Sequence, residues 1–281
     1  MNNKLLLFSK TFYQNRAVIQ ARSFSIISIA LIFFVVVIMS SFPLYYARVS
    51  MSGDELIERF PNINATFAEI YEEELPIRID ESGAINVYDD IDLKRIGDYD
   101  LHFEYIDDES ENRIIFDEYG IKIIYVDAET DQVRKITGDY NLLRGTDFGA
   151  IKEDKPDNLS TEDYYETMTK SILHSIHYSM LTRDFAQITL VQASQFIMFV
   201  LVISLLFMFN NISKSSGRLT YLASVKITVI SGLTPAILTA LIGVYSQSIG
   251  SIAFTILYAI RLVFVYRVLS KEGIDLHHNI D

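Results

Sequence analysis

Residues 24–46 read FSIISIALIFFVVVIMSSFPLYY, twenty-three positions without a charge. A helix of about 20 apolar residues crosses the hydrocarbon of a bilayer, so this segment is expected to be a membrane span and the rest of the chain is read around it. Lys4, Lys10, Arg16 and Arg22 precede it with no acid among them. Positive side chains beside a first span are retained on the cytoplasmic side, which makes 1–23 a cytoplasmic basic segment. A cleaved signal peptide would carry an apolar stretch of about 7 to 15 residues ending in a small-x-small site, and neither feature is present.

Three further apolar segments, at 188–210, 224–245 and 251–269, have the length of spans. The last two are separated by 246–250, Ser-Gln-Ser-Ile-Gly, which suits a tight external turn between antiparallel helices. Lys214 and Arg218 lie between the second and third spans with no acid, and Arg267 and Lys271 flank the end of the fourth. The loop 211–223 and the tail 270–281 are therefore expected in the cytoplasm, with both termini inside.

Half of the residues are hydrophobic and only 21% are charged, yet the formal charge is −12, so apolar and charged residues must be segregated. The segment 47–187 holds 33 of the 36 acidic but 14 of the 24 basic side chains. Long loops cross the membrane largely regardless of charge, which places this segment outside. An acidic chain lacks the basic face that displaces counterions from nucleic acid, so no nucleic-acid partner is expected. The absence of Cys removes disulfides, thiolate nucleophiles and Cys-ligated zinc.

The acidic segment carries its own folding signals. Ser52 and Glu55 have the spacing of a capping box ahead of Leu56, Ile57 and Phe60, with Pro61 as a stop. Ile63, Phe67, Ile70 and Tyr71 recur at helical spacing before Pro76. Leu101, Phe103 and Tyr105 alternate with His102 and Glu104, and Ile121, Ile123 and Tyr125 alternate with Lys122 and Ile124, the period of half-buried strands. Ser160 with Asp163 caps another helix, whose stripe of Tyr165, Met168, Ile172, Ile176 and Met180 leads into the second span. The expected fold is therefore a four-helix membrane protein with one extracytoplasmic α+β domain, a small antiparallel sheet flanked by helices, at 47–187.

Candidate chemistry is sparse. His174 and His177 lie three apart and could share a metal ion, but Glu166 is offset and no HExxH is present, so a structural role is the expectation. Asp107, Asp108, Glu109 and Glu111 lack the central Gly and terminal Glu of an EF-hand loop and read as a solvated hairpin tip. Glu72, Glu73 and Glu74 read as a wet helix end. No GxSxG, phosphate loop or nucleotide fingerprint occurs, so no catalytic residue, cofactor or metal is expected.

In the third span Ser224, Thr228, Gly232, Ala236 and Ala240 recur every four residues. Small residues on one face let helix backbones approach in lipid, which makes this a helix-packing face, with Ile230 off it. Pro235 should kink the same helix. Lys226 and Arg261 sit toward cytoplasmic ends with no intramembrane acid to pair them, and are expected to snorkel to the headgroups.

The stretch FSKTFYQNRAVIQARSFS before the first span, the Phe42-Pro43 pair, the single outer domain, and GRLTYLASVKITVISGLTPAIL at 217–238 together resemble a family of uncharacterised integral membrane proteins, found mainly in Gram-positive bacteria. Some of its members carry the label maltodextrin-utilisation protein. Arg218, Tyr221, Lys226 and Pro235 are the positions that match. The resemblance implies a non-enzymatic accessory protein of the cell membrane that works through protein partners in carbohydrate uptake, with a sugar transporter or another membrane protein as the partner besides the lipid bilayer. The competing expectation is an extracytoplasmic sensor of a small ligand or cation, coupled through its membrane helices.

Because the chain has no Cys, single Cys probes test this topology without background. Cys at Asp90 or Ser248 should react with an impermeant maleimide in intact cells, and Cys at Ser215 or Asp275 only after lysis. The reverse pattern would reject the four-span arrangement.

Overall fold

The computed structural model describes residues 2–87, 94–104, 106–118, 120–210 and 219–272. The expected strand residue Tyr105, the matched position Arg218, Lys214, the probe sites Asp90, Ser215 and Asp275, and the end of the tail lie outside the described residues.

In chain order the elements are α1 (Asn2–Thr11), α2 (Asn15–Gln20), a 3₁₀ turn (Ala21–Ser23), α3 (Ile26–Val49), α4 (Gly53–Arg59), α5 (Ile63–Glu72), β1 (Ile77–Ile79), β2 (Ile85–Val87), β3 (Lys94–Ile96), β4 (Tyr99–His102), β5 (Arg113–Asp117), β6 (Gly120–Val126), β7 (Val133–Asp139), α6 (Thr161–Ser179), α7 (Leu181–Asn210), α8 (Tyr221–Ser231), α9 (Leu233–Tyr245) and α10 (Gln247–Glu272). They divide into two compact units, one built from both ends of the chain and one from Val49–Asp184.

The helical unit contains four helices long and apolar enough to cross a membrane: α3, α7, α8 with α9, and α10. The third is the most enclosed, 61% buried against 39% for α3, 33% for α10 and 22% for α7. Leu190, Met198 and Phe209 on α7 and Ile252 and Val263 on α10 are among the large apolar side chains left exposed, a surface that suits hydrocarbon far better than water.

Pro235 stands third in α9 and cannot donate to the carbonyl four residues back, at Ser231. The helix accordingly stops at Ser231 and restarts at Leu233, with the Gly232 N–H turned to the Val229 carbonyl at 3.1 Å. The turn expected at 246–250 is shorter than that. Ser246 alone separates α9 from α10, and Gly250 already lies in the helix. The basic segment 1–23 is not a free lead-in either: Ala17, Val18, Ile19 and Ala21 are buried against the rest of the helical unit.

In the other unit the Ser52–Glu55 capping box is complete, and Ser160 caps α6 through the Asp163 N–H. Strands β1 and β2 form a two-stranded antiparallel ribbon, and β3 to β7 form a five-stranded sheet in sequential order. One face of this sheet, carrying Leu101, Ile114, Phe116, Ile121, Ile123 and Ile136, joins the apolar stripes of α4, α5 and α6 in a single core. Buried tyrosines keep their hydroxyls satisfied there: Tyr99 donates to the Pro61 carbonyl at 3.0 Å and Tyr140 to the Asp117 carbonyl at 2.9 Å.

The sheet is not wholly antiparallel, as expected from sequence, because β4 and β5 pair in parallel. Parallel neighbours need a connection that crosses over the sheet rather than a turn. The segment 103–112 is therefore a crossover, and its acidic residues are not a hairpin tip.

Helix α6 approaches β7 at Gly138. A Cβ there would collide with the Ile176 carbonyl oxygen, while Ser179 bridges by accepting from the Asp139 N–H at 3.0 Å. Expressed as 52–182, this unit should unfold in one cooperative urea transition, and Gly138→Ala should lower its stability by about 1–3 kcal/mol, the usual cost of overpacking. An unchanged midpoint would show that helix and sheet can separate freely at this point.

Candidate functional site

Charged and polar groups that could carry function gather in two places, one in each unit. The first is the sheet face away from the main core. The pairing of Arg113 with Ile124 and of Ile124 with Lys135, and of Ile115 with Lys122, puts Arg113, Lys122 and Lys135 on that face beside the buried Ile115 and Ile124. The crossover meets these cations with the acids that stood out in the sequence. Arg113 pairs with Asp108 at 2.9 Å and Glu111 at 3.1 Å, and Glu109 receives Lys122 at 2.8 Å and Lys135 at 3.1 Å.

These bonds hold the Glu109 carboxyl below the usual carboxylate range, through Lys122 first and Lys135 second. Hydrogen bonds from Ser110, then from Arg113, do the same for Asp108. Asp108, Glu109 and Glu111 are thus paired with the protein's own cations and tie the crossover down over the sheet. Glu72 and Glu74 likewise share Lys152, and Glu72 accepts from the Tyr165 hydroxyl at 2.9 Å; Glu72, Glu73 and Glu74 are exposed, as expected of a wet helix end. His174 stacks on Tyr178 at 5.5 Å, His177 is buried, and Glu166 pairs with Lys170. Among the described residues no group of three or more His, Asp or Glu could hold a metal ion.

The second place is the polar seam of the helical unit. Ser224, Thr228, Gly232 and Ala236 are buried and Ala240 is half-buried. Thr228 is a junction: its hydroxyl accepts from Ser204 of α7 at 3.2 Å, and its carbonyl accepts from Tyr258 of α10 at 3.1 Å. Gly232 lies against Phe196 of α7 and Val36 of α3, each about 3.1 Å from where a Cβ would stand. Ile230, expected off the packing face, is itself only 1% exposed, because the end of α8 is enclosed on every side and has no free face. Tyr221 is exposed at the start of α8, and Pro235 is buried.

Sequence reasoning missed the tightest approach in this unit. Pro43, inside α3, abuts Gly243 of α9 and Gly250 of α10, so that a Cβ at either glycine would strike the proline ring. A Gly three residues past the last member of the small-residue series was the available signal.

Lys226 and Arg261 do not reach outward as expected. Lys226 donates to the Phe24 carbonyl at 2.7 Å and Arg261 to the Thr11 carbonyl at 2.8 Å, while Thr234 donates to the Phe12 carbonyl at 3.0 Å. These carbonyls are free because α1 and the 3₁₀ turn end there, and the C-terminal end of a helix carries partial negative charge. Arg261 lies eleven residues before the end of α10, about 16 Å along its axis, which sets the end of α1 beside the candidate spans. The cations therefore fasten the amino-terminal helices through carbonyls, and no Asp or Glu occurs from 185 to 271.

No family model, curated protein or solved structure matches this chain.

The seam makes a stability prediction. Gly232→Leu and Gly243→Leu should each cost about 1–3 kcal/mol, read as a lower melting temperature in detergent. Leu241→Ala, at a position 57% exposed, should stay within about 0.5 kcal/mol. Equal melting of all three variants would discard the assignment of close packing to both glycines.

Proposed function

We propose that the protein is a multi-pass protein of the cell membrane, with both termini cytoplasmic and the acidic domain extracytoplasmic, that acts without catalysis as an accessory to a sugar transporter in maltodextrin or other carbohydrate uptake. The observation that carries the reading is the division of labour between the two units. The helical one presents apolar side chains outward along α7 and α10, as a lipid-facing bundle does. The other closes its own core and bonds the carboxylates of its acidic crossover to its own lysines and arginine. Its prominent candidate residues hold structure, which leaves its surface to make contacts with a partner.

The orientation rests on the four bases ahead of α3, none accompanied by an acid. The link to carbohydrate rests on the resemblance of the segments before α3 and along α8 and α9 to the bacterial family named above.

A deletion strain should grow normally on glucose and poorly on maltodextrin, and crosslinking of the tagged protein in cells should recover transporter subunits. Unchanged growth and uptake with no transporter subunit recovered would refute the proposal. Stabilisation of the acidic domain by a small ligand in that situation would favour a sensor instead.

A further inference from the structure

Between α1 and the start of α3 lies a cavity of about 340 Å³ lined by Lys4, Leu5, Phe8, Phe24, Ser25, Ser28, Leu31 and Ile32. Its wall is graded along α3. Ser25 and Ser28 stand at the first turn and Leu31 and Ile32 one turn deeper, while α1 adds Lys4 beside the apolar Leu5 and Phe8. We infer that this groove binds one anionic phospholipid, its phosphate at Lys4 and the first turn of α3 and an acyl chain along Phe8, Leu31 and Ile32.

The donors at the head of the groove are unspent. Lys4 has no carboxylate partner among the described residues, and no acid precedes Asp54 anywhere in the sequence. The Ser28 N–H is taken by the Ser25 hydroxyl at 3.2 Å and the Ile29 N–H by the Ser25 carbonyl at 3.1 Å. The N–H groups of Ile26 and Ile27 find no acceptor among the described residues, as the first N–H groups of a helix generally do not, and such a terminus favours an anion. Ser25 and Ser28 share one hydrogen bond between their hydroxyls at 2.9 Å, so one hydroxyl hydrogen remains to be donated.

A comparison within the same molecule separates charge from grease. A second cavity, of about 440 Å³, lies along α7 and is lined by Ser194, Gln195, Met198, Phe199 and Val202. It offers apolar surface but no cation, and an acyl chain of any phospholipid suits it equally. Of these two cavities, the groove between α1 and α3 is the one that joins an apolar channel to a lysine and a helix start, and that complementarity selects an anionic headgroup.

The inference rests on the proposal that the helical unit lies in a bilayer, and the test distinguishes the two. The chain has no Trp, so Leu31→Trp and Val202→Trp, at positions 62% and 52% exposed, are single reporters of the two cavities in the full-length protein. In phosphatidylcholine vesicles, brominated phosphatidylglycerol should quench Trp at 31 at about fivefold lower mole fraction than brominated phosphatidylcholine, the preference one lysine confers near an anionic lipid. The two lipids should quench Trp at 202 equally. Lys4→Gln should abolish the preference at 31 and leave quenching at 202 unchanged, which also reports an intact fold.

Equal quenching at 31, the same anionic preference at 202, or a preference that survives Lys4→Gln would each overturn the site. Displacement by millimolar inorganic phosphate would reassign it to a free anion and equally overturn it. If neither reporter is quenched by either lipid, the bilayer placement fails and the lipid site falls with it.

Discussion

A carbonyl stranded among apolar side chains costs several kcal/mol unless a donor reaches it, and the helical unit is organised around meeting that demand. Among its helix ends and breaks are those at Thr11, Ser23, Ser231 and Tyr245. At the first two ends the donors come from far along the chain, Arg261 and Thr234 to the Thr11 and Phe12 carbonyls and Lys226 to that of Phe24. At the other two the backbone closes on itself, through the N–H groups of Gly232 and Ser246. The long-range donors fix α1 and α2 against the third and fourth candidate spans, and so decide the inner architecture of the unit.

Two cations serve this purpose through carbonyls, with no salt bridge to either among the described residues. A salt bridge would set a carboxylate beside Lys226 or Arg261, whereas a carbonyl satisfies their hydrogen bonds without bringing an opposite charge. Together with Lys4, Lys10, Arg16 and Arg22, they make this end of the unit positive. Anionic lipid is the natural counterion for such a surface. The acidic domain follows the opposite rule, pairing the cations of its outer sheet face with carboxylates of the crossover that lies over them. One unit sets cations against carbonyls, while the other sets them against carboxylates to close a fold.

Small residues act in the helical unit where three helices converge. The series from Ser224 to Ala240 is a seam that also contains hydroxyls bonded across to α7 and α10. The Pro43, Gly243 and Gly250 contact sits at the hairpin of α9 and α10, where one residue separates the helices and the backbones must run close together. A proline ring against glycine gives contact without side-chain entropy on either partner.

Much that depends on neighbours along the chain was readable beforehand, although the strand expected through Phe103 ends at His102. The four long apolar segments, the capping of α4 by Ser52 and of α6 by Ser160, and the alternation along β6 are properties of runs of a few to twenty residues. They follow from hydrogen-bond closure and periodic burial within the run itself. The parallel pairing of β4 with β5, the packing of the amino-terminal helices, the enclosure of Ile230, the inward turn of Lys226 and Arg261, and the meeting of Pro43 with two glycines are different. Each joins residues from 13 to 250 positions apart, and a composition that permits the contact does not specify its partner. The acidic crossover is the clearest case: Asp108, Glu109 and Glu111 have the look of solvated loop residues in one dimension. Only the register of β5, β6 and β7 places Arg113, Lys122 and Lys135 beneath them. The sequence by itself determined which segments are helix, strand and apolar span, because those are local free-energy balances; the tertiary structure decided which charges and carbonyls are spent on one another, because that depends on distances no local pattern encodes.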